Sequence, residues 1–594
     1  MNNVINTRIE QLRELMRREK LSAFVFPSTD PHHSEYVCDH WKGREWISGF
    51  NGSAGTAVVT MTSAALWTDS RYFLAAAEQL EGTEYQLMKM KMPGTPSITQ
   101  WLVKELDDIQ SPEVGMDGMV NSNAFVESMA KELRETAGIT VRTNFDPLRF
   151  IWKNRPVIPL NKVELQPLEY AGEPTQSKLS RIRLALRENH ADGILVAALD
   201  DIAWTLNLRG TDVHCNPVFV AYLLISSDAV TLYINNVKLT PEVSAYLEKE
   251  HITVDDYENV RQGLRDYFEY NIQLDPNEIN YTLFHTPTRE VVRAQSPIPE
   301  MKSHKNETEI RGFRNAMLRD GIAMVKFLKW LKPAVEAGGQ TEISLDQKLT
   351  GLRAEQPLFR DISFDTIAGY QEHSAVVHYE ASPETDIPVR PEGLILIDSG
   401  AQYQDGTTDL TRTIALGPIT EEMRHIYTLV LKSHIQFELI KFPDGACGMQ
   451  LDAAGRECLW REGLNFLHGT GHGVGAYLNV HEGPHQIRME YYPTPLRSGM
   501  TVTDEPGIYL AGKFGVRIEN VLLIQPYLET EFGKFLQMTP LTLCPIDTTP
   551  IDKSLLSQEE IEWLNQYHSW VYQELSPHLS PDEQAWLKEA TRPI

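Results

Sequence analysis

Apolar and polar residues in the first part of the chain follow two periods, one typical of helices and one of buried strands. Apolar side chains recur at helical spacing from Ile9 to Met16. Thr7 and Glu10 are placed as in a capping box, which predicts that this helix begins at Thr7. The apolar run 23–26 and the segment 65–73 then predict two strands, separated by glycine-punctuated sequence. This alternation is typical of an α/β domain.

The same pattern recurs later in the chain. Residues 177–199 again read as a helix that runs into a buried strand, and the segment that begins at Trp204 echoes the one that begins at Trp46. Proline-bearing connectors at 154–159 and 296–299 bound this second copy. We therefore predict a duplicated α/β domain followed by a third domain. The predicted domains are 1–155, 156–301 and 302–594.

The third predicted domain opens with a long amphipathic helix and then becomes rich in strands. The apolar positions of this helix trace one face, namely Ile310, Phe313, Met317, Ile322, Val325, Leu328 and Leu331. Strand-like sequence dominates from Phe364 to Ile524, and a helical tail with three tryptophans follows from Ser554. The fold class predicted for the whole chain is therefore multidomain, α/β and α+β.

Charge and cysteine content narrow the possible partners and the compartment. The chain has 594 residues and a net charge of −26, which argues against binding to nucleic acid and against docking on anionic membranes. The five cysteines are scattered and form no C-x-x-C motif, as expected for thiols in a reducing compartment. The N-terminal sequence lacks the apolar core of a signal peptide, so we expect a cytoplasmic protein.

Five side chains between Leu394 and Asn520 have the chemistry of a site for two metal ions. They are four carboxylates and one imidazole: Asp398, Asp409, His472, Glu505 and Glu519. Carboxylates crowded together resist ionising, whereas two divalent cations would balance their four charges. The set therefore predicts a dinuclear hydrolytic site.

The carboxylates fall into two pairs whose local sequence fits hairpins. Asp398 ends an apolar run, Asp409 begins the next strand-like segment, and turn residues lie between them. Glu505 and Glu519 repeat this arrangement around glycines. Arg517 lies two residues before Glu519 and so faces the same side of its strand. We expect Arg517 to hold a ligating carboxylate in place or to balance a metal-bound hydroxide.

The glycine-rich motif HGTGHGVG, residues 468–475, contains the imidazole of the set. Its spacing matches no phosphate-binding loop, so we interpret the glycines as allowing the backbone to approach a ligand closely. His468 and His481 flank His472, and each alone would be a structural histidine. Beside a metal site, both become candidates for stabilising an oxyanion or passing a proton.

These motifs together resemble one family. The segments 396–413, 468–484, 501–509 and 515–520 are similar to the signatures of Xaa-Pro aminopeptidase (aminopeptidase P), a metallopeptidase of group M24B with the pita-bread fold. VVHYEA around His378 and WTDSRYF in the first domain fit as well. The length resembles the long three-domain form. The resemblance implies two creatinase/prolidase-type N-terminal α/β domains, a pita-bread catalytic domain with a helical tail, and a homodimer.

The resemblance also implies a role for each matching residue. It implies that Asp398 binds one metal ion, that His472 and Glu505 bind the other, and that Asp409 and Glu519 bridge both. Glu505 is the expected general base. Substrate contacts are expected from His378, His468, His481, Arg517 and Arg71, of which His378 and His481 would lie near the scissile bond.

The implied reaction is release of the N-terminal residue from peptides with proline in the second position. The bond before proline is a tertiary amide without an N–H group, so a general peptidase loses a hydrogen bond there. A hydroxide bridging two metal ions would attack the carbonyl. The resemblance implies manganese, and the ligand types alone also permit Co²⁺ or Zn²⁺.

Two other functions are weighed against this one. A prolidase would use the same ligands but accept only Xaa-Pro dipeptides, and the two-domain prelude and HGTGHGVG favour the aminopeptidase. A non-catalytic peptide-binding scaffold usually loses metal ligands, and this chain has all five. Creatinase, a related fold, does not rely on the complete ligand set.

Overall fold

The structure, a computed structural model, describes residues 2–594, and Met1, the first residue of the predicted first domain, lies outside them. The chain divides into two compact units. The first unit extends to Gln166 and continues from Glu173 to Ile298, and the second comprises Pro167–Gly172 and Pro299–Ile594. All five predicted metal ligands lie in the second unit.

The part of the chain up to residue 298 alternates helices and strands. Its strands are β1 (Ala23–Pro27), β2 (Thr56–Thr60), β3 (Ala64–Thr68), β4 (Tyr85–Lys89), β5 (Glu113–Met116), β6 (Thr140–Arg142), β7 (Glu164–Leu165), β8 (Gly193–Val196), β9 (Leu208–Arg209), β10 (Tyr222–Ile225), β11 (Val230–Tyr233), β12 (Thr253–Asp255), β13 (Asn271–Leu274) and β14 (Glu290–Arg293). Its helices are α1 (Asn2–Glu19), α2 (Gly43–Ser48), α3 (Phe73–Gln79), α4 (Ile98–Glu105), α5 (Asn123–Ala137), α6 (Leu148–Ile151), α7 (Leu168–Ala171), α8 (Thr175–Glu188), α9 (Leu199–Leu206), α10 (Pro241–Lys249), α11 (Val260–Asp266) and α12 (Tyr281–Phe284).

The remainder of the chain begins and ends with helices and has strands between them. The helices are α13 (Ile298–Ser303), α14 (Glu307–Ala337), α15 (Glu342–Ala354), α16 (Glu421–Glu438), α17 (Gly448–Trp460), α18 (Gln558–Leu575) and α19 (Pro581–Ala590). The strands are β15 (Phe359–Ile362), β16 (Ile367–Tyr370), β17 (Leu394–Ser399), β18 (Ala401–Tyr403), β19 (Gly406–Thr407), β20 (Leu410–Ala415), β21 (Lys441–Pro443), β22 (Gly471–Gly473), β23 (Glu482–Ile487), β24 (Thr501–Asp504), β25 (Gly507–Leu510), β26 (Phe514–Arg517), β27 (Asn520–Thr530) and β28 (Gly533–Pro540).

The predicted duplication is visible in two six-stranded sheets with one topology. The first sheet has the order β4-β3-β2-β1-β5-β6, and the second has the order β12-β11-β10-β8-β13-β14. In each sheet the first strand of the copy, β1 or β8, pairs antiparallel with one neighbour and parallel with the other. Trp46 and Trp204 lie on equivalent helices, each following the first strand of its copy.

The predicted start of the first helix was wrong. The helix α1 begins at Asn2, so Thr7 lies inside it and does not cap it. Ile5 is buried together with Ile9, Leu12 and Met16, which extends the apolar stripe by one turn. Burial of that extra apolar residue favours the longer helix over a break at the capping sequence.

In the second unit, buried strands carry the predicted ligands. Every residue of β17, β20 and β24 is buried. Strands β17 and β20 belong to the sheet β16-β17-β20, and β24 belongs to the sheet β21-β28-β27-β24. Helix α16 packs into the same core as residues of β25 and β26. The predicted ligands Asp398, Asp409 and Glu505 therefore lie at or beside the ends of fully buried strands.

Two further observations concern residues 2–594. No disulfide joins any of the five cysteines in residues 2–594, as predicted. Within the same residues, none of the helices combines the length and the apolar character that crossing a bilayer would require.

Candidate metal centre

Asp398 and Asp409 are brought together by the antiparallel pairing of β17 and β20. In this register Asp398 lies opposite Thr411, and Asp409 comes two residues before Thr411, immediately before β20. Both aspartates therefore lie toward the same end of the strand pair. The hairpin of β18 and β19 connects the two strands through a turn at Gln404 and Asp405. Both carboxylates are buried, with 8% and 3% of the residue exposed respectively.

Glu505 and Glu519 face each other across a second hairpin, as the sequence predicted. Asp504 pairs with Asn520 and Gly507 pairs with Arg517, so the same register places Glu505 opposite Glu519. The backbone N–H of Glu519 donates to the carbonyl of Thr411 over 3.1 Å. This bond joins the second hairpin directly to the strand that follows Asp409.

His472 lies on β22 and completes the group. Its Nε2 is 3.5 Å from Oδ2 of Asp409 and 3.4 Å from Oε1 of Glu505. One ligand atom from each of Asp409, His472 and Glu519 lies within 4.8 Å of the other two. A Cβ on Gly471 would come within 1.9 Å of the carbonyl oxygen of Thr503, so glycine at this position is what permits the strands to approach.

The carboxylates oppose one another's ionisation. Burial, and then the charge of Asp398, raises the pKa of Asp409 well above its usual range. The pKa of Glu519 is raised in the same direction by burial and by Asp409. Burial raises the pKa of Glu505 to about 7, against the opposing effect of Arg517. This concentration of buried acid needs positive charge to be fully ionised at neutral pH.

The residues fit a pair of divalent cations. Oδ1 of Asp398 is buried and has no hydrogen-bond partner within residues 2–594, which leaves a lone pair for a metal ion. Oxygen ligands with a single imidazole suit hard or borderline cations such as Mn²⁺. Hydroxyls hold two of the remaining carboxylates: Thr411 donates to Glu519 over 2.7 Å, and Thr503 donates to Glu505 over 3.2 Å.

We expect the metal-free protein to lose stability as the pH rises toward 7. A carboxyl group whose pKa is raised in the folded state binds more protons there than in the unfolded state, so the free energy of unfolding falls with rising pH. For Glu505, with a folded pKa of about 7, the fall runs from about pH 4.5 to about pH 7.

Thermal unfolding of metal-free wild type and of metal-free Glu505→Gln between pH 5 and 8 measures this effect. The variant should show a shallower decline, because glutamine does not titrate. Adding divalent cation should raise the unfolding midpoint of the wild type more at pH 8 than at pH 5, since metal binding competes with protons. Equal pH dependence in both proteins would contradict the assignment of the titrating group.

Arg517 binds a predicted metal ligand. Its Nη2 donates to Oδ2 of Asp398 over 2.7 Å, and its Nη1 donates to the hydroxyl of Tyr509 over 2.7 Å. The same hydroxyl lies 2.8 Å from Nε2 of His468. Arg517 and Tyr509 thus connect His468 to Asp398. Of the two expectations for Arg517, holding a ligating carboxylate is the one that matches these contacts.

The other two predicted histidines lie in different parts of the second unit. The ring of His481 packs edge-on against that of His472, with ring centroids 4.5 Å apart. A charged His481 would oppose the rise in the pKa of Asp409 and of Glu505 that burial causes. His378 lies in a turn, and the preceding residue, Val377, accepts a hydrogen bond from Nη2 of Arg517 over 3.3 Å.

Arg71 belongs to the first unit. There its guanidinium makes two hydrogen bonds with the carboxylate of Asp69, of 2.9 and 2.8 Å, and lies 3.7 Å from Glu35. Its predicted contact with substrate stays a prediction.

Sequence reasoning missed a buried polar network behind the ligands. Nδ1 of His434 lies 2.9 Å from Asp504, and its Nε2 lies 3.3 Å from Glu438. Asn520 donates to Glu438 over 2.9 Å and accepts from Arg412 over 2.8 Å. Asp504 and Asn520 adjoin the ligands Glu505 and Glu519. Side chains of consecutive strand residues point to opposite faces, so Asp504 and Asn520 point away from the neighbouring ligands. Polar residues at these two positions were the one signal for the network in the sequence.

Comparisons with known proteins follow the same division of the chain. Residues 311–526 match Metallopeptidase family M24, and residues 534–594 match the C-terminal region of peptidase M24. Residues 8–151 and 154–309 each match the Creatinase/Prolidase N-terminal domain. The M24 match therefore contains every predicted metal ligand.

Two curated relatives match this chain over nearly their whole length. Probable Xaa-Pro aminopeptidase P of Talaromyces marneffei is 39% identical, over 99% of this chain and 92% of that protein. Xaa-Pro aminopeptidase 1 of Dictyostelium discoideum is 37% identical, over 99% of this chain and 97% of that protein.

A solved structure agrees with the fold. The X-prolyl aminopeptidase of Caenorhabditis elegans, described as a cytosolic enzyme with a di-nuclear active site, superposes with a TM-score of 0.94. The match covers 99% of this chain and 100% of that one, at 35% identity. The chain therefore belongs to the Xaa-Pro aminopeptidase family, with a catalytic portion of metallopeptidase family M24.

Proposed function

We propose that the second unit hydrolyses the bond between the first residue and proline in peptides, using two divalent cations held by the five predicted ligands. The observation that carries this proposal is the convergence of ligand atoms from Asp409, His472 and Glu519 within 4.8 Å, with Glu505 a further 3.4 Å from His472. Asp398 would bind one ion and His472 with Glu505 the other, with Asp409 and Glu519 shared. We propose Mn²⁺ as the native metal, with Co²⁺ or Zn²⁺ as alternatives.

When bound, the cations supply Lewis acidity and lower the pKa of water. The proton chemistry falls to Glu505, whose carboxylate lies 3.4 Å from Nε2 of His472. We propose that it accepts a proton from the attacking water and returns it to the departing proline nitrogen.

Histidines would stabilise the charge that develops on the scissile carbonyl. We propose that a donor on the ring of His481, which packs on that of His472, reaches the reacting centre. His378 would reach the carbonyl from its turn, in which Val377 accepts a hydrogen bond from Arg517. Arg517 would position Asp398, and His468 and Arg71 would contact the peptide farther from the scissile bond.

The remaining expectations about the chain's setting are part of the proposal. The relative from Caenorhabditis elegans is described as cytosolic, and the charge of −26 disfavours nucleic acid and anionic membranes as partners. We propose a cytoplasmic homodimer that acts on peptides. The domain division 1–155, 156–301 and 302–594 is likewise proposed, supported by the repeated sheet topology.

Peptide length and the second residue test the proposed specificity. With Mn²⁺ present, Ala-Pro-Ala should be cleaved to alanine and Pro-Ala at least about a hundredfold more efficiently, in kcat/KM, than either Ala-Ala-Ala or the dipeptide Ala-Pro. Product analysis by chromatography measures all three. Preferential cleavage of Ala-Pro would instead identify a prolidase, and no cleavage of any peptide by the metal-loaded protein would support the scaffold.

A further inference from the structure

The segment Gln371–Ala375, just before the turn that carries His378, has an unusual backbone. It forms a 3₁₀ turn directly after β16. Gln371 adopts a φ of +51°, in the left-handed region that residues other than glycine rarely occupy. Such a conformation persists only where surrounding contacts impose it, and it is found most often near functional sites.

Neighbouring strands hold this turn tightly. The backbone N–H of Gly515, on the hairpin that carries Arg517, donates to the hydroxyl of Ser374 over 2.7 Å. A Cβ on Gly515 would come within 2.0 Å of the carbonyl oxygen of Ser374, and a Cβ on Gly369 within 2.8 Å of its Cα. The turn therefore fits against the ligand-bearing hairpin with no room for a side chain at either glycine.

A fully buried carboxylate ties the two sides of this segment together. Glu342, the first residue of α15, is 0% exposed. It accepts a hydrogen bond from the backbone N–H of Tyr370 over 2.8 Å, and both of its oxygens lie 3.0 Å from Nδ1 of His373. The hydroxyl of Tyr379 donates to it over 2.8 Å. Buried carboxylates need such donors, and charge-assisted bonds of this kind are strong.

These contacts bracket His378. His373 precedes it in the chain and Tyr379 follows it immediately, and the rings of His373 and Tyr379 pack with centroids 4.4 Å apart. Val377, between them, is bonded to Arg517, which also binds Asp398. The backbone around His378 is thus attached both to Glu342 and to the metal-binding side of the site.

We propose that Glu342, His373 and Tyr379, here called the Glu342 cluster, form a positioning unit that sets the imidazole of His378 against the scissile peptide bond. This inference rests on the proposed role of His378 in contacting substrate. Catalytic groups must be held closely to their productive geometry, and a misplacement of about 1 Å can cost about a hundredfold in rate. The cluster supplies the rigidity that a turn alone lacks.

Removing the donor of His373 tests the proposal in the full-length, Mn²⁺-loaded enzyme. In His373→Ala, kcat for Ala-Pro-Ala should fall about tenfold while KM changes less than about twofold, because binding contacts remain and the reacting geometry is lost. Metal content should stay at the wild-type value. His373→Asn, whose side-chain N–H can replace Nδ1–H as a donor, should recover a large part of kcat.

A double-mutant cycle with His378→Ala separates positioning from general destabilisation. If His373 acts through His378, then His373→Ala should cost nothing further in a chain that already carries His378→Ala. If instead the fold losses in kcat of the two single variants multiply in the double variant, the inference is wrong. If His378→Ala alone retains wild-type kcat, the role proposed for His378 is itself wrong and the inference fails with it, which distinguishes the two failures.

A second histidine–glutamate pair provides a matched control. Nε2 of His425 lies 3.3 Å from Glu462 on the surface of the same unit, far along the chain from the turn. His425→Ala should leave kcat, KM and metal content unchanged. A comparable fall in kcat for His425→Ala would show that loss of such a pair acts nonspecifically, and would contradict a special role for the Glu342 cluster.

Discussion

Replacing Glu505 by glutamine is expected to lower kcat by about a thousandfold while peptide binding survives. Glutamine keeps the length and shape of the side chain, and its amide oxygen can still accept the hydroxyl of Thr503, 3.2 Å away in the wild type. It cannot accept a proton near neutral pH. The loss should therefore fall on the proton transfers and leave the affinity for Ala-Pro-Ala within a few fold of wild type.

Steady-state kinetics, calorimetric peptide binding and elemental analysis of Glu505→Gln distinguish a lost base from a lost metal ligand. A variant with metal content close to wild type but without turnover supports the general base. Turnover close to wild type would refute that role. Glu490, a partly exposed glutamate that pairs with Arg488 over 2.8 Å, offers a matched Glu→Gln control that should retain full activity.

Replacing Asp409 by alanine is expected to abolish metal binding and activity together. Asp409 is 3% exposed, lies 3.5 Å from Nε2 of His472, and shares a compact group with Glu519. Removal of a ligand proposed to serve both ions should reduce kcat/KM at least about a thousandfold. Bound metal should fall below one ion per chain by elemental analysis.

The same substitution has a consequence that general misfolding would not produce. Asp409 contributes to the raised pKa of Glu519, so removing it relieves like-charge repulsion in the metal-free protein. We expect metal-free Asp409→Ala to unfold at a higher temperature than metal-free wild type at pH 8, although it is inactive. Asp361→Ala, at an exposed aspartate on β15, should retain both ions and activity. A destabilised Asp409→Ala that still binds two ions would contradict the role of Asp409.

Much of the site could be predicted because its carboxylates form pairs that are close in sequence and follow local strand and turn patterns. Asp398 ends an uninterrupted apolar run, and Glu505 and Glu519 flank one hairpin, so local strand geometry alone brings each pair together. The repeated sheets could be predicted for the same reason, since each copy carries its own helix and strand periodicity. The resemblance then supplied roles that residue type and spacing left open.

The features that escaped prediction depend on packing between distant segments. Thr7 looked like a helix cap because Ile5 was not known to be buried. The pairing of His434 with Asp504 joins α16 to β24, and no local pattern relates those two positions. Glu342 likewise meets His373 only once α15 has packed beside β16. Long-range contacts of this kind follow from the assembled core and have no counterpart in sequence periodicity.

The metal content of the active protein tests the central claim most directly. Protein purified without added metal, stripped with chelator and then titrated with Mn²⁺, should regain Ala-Pro-Ala hydrolysis as binding approaches two ions per chain by elemental analysis. Hydrolysis that persists at full rate after exhaustive chelation, with no metal detected, would contradict a dinuclear centre built from Asp398, Asp409, His472, Glu505 and Glu519.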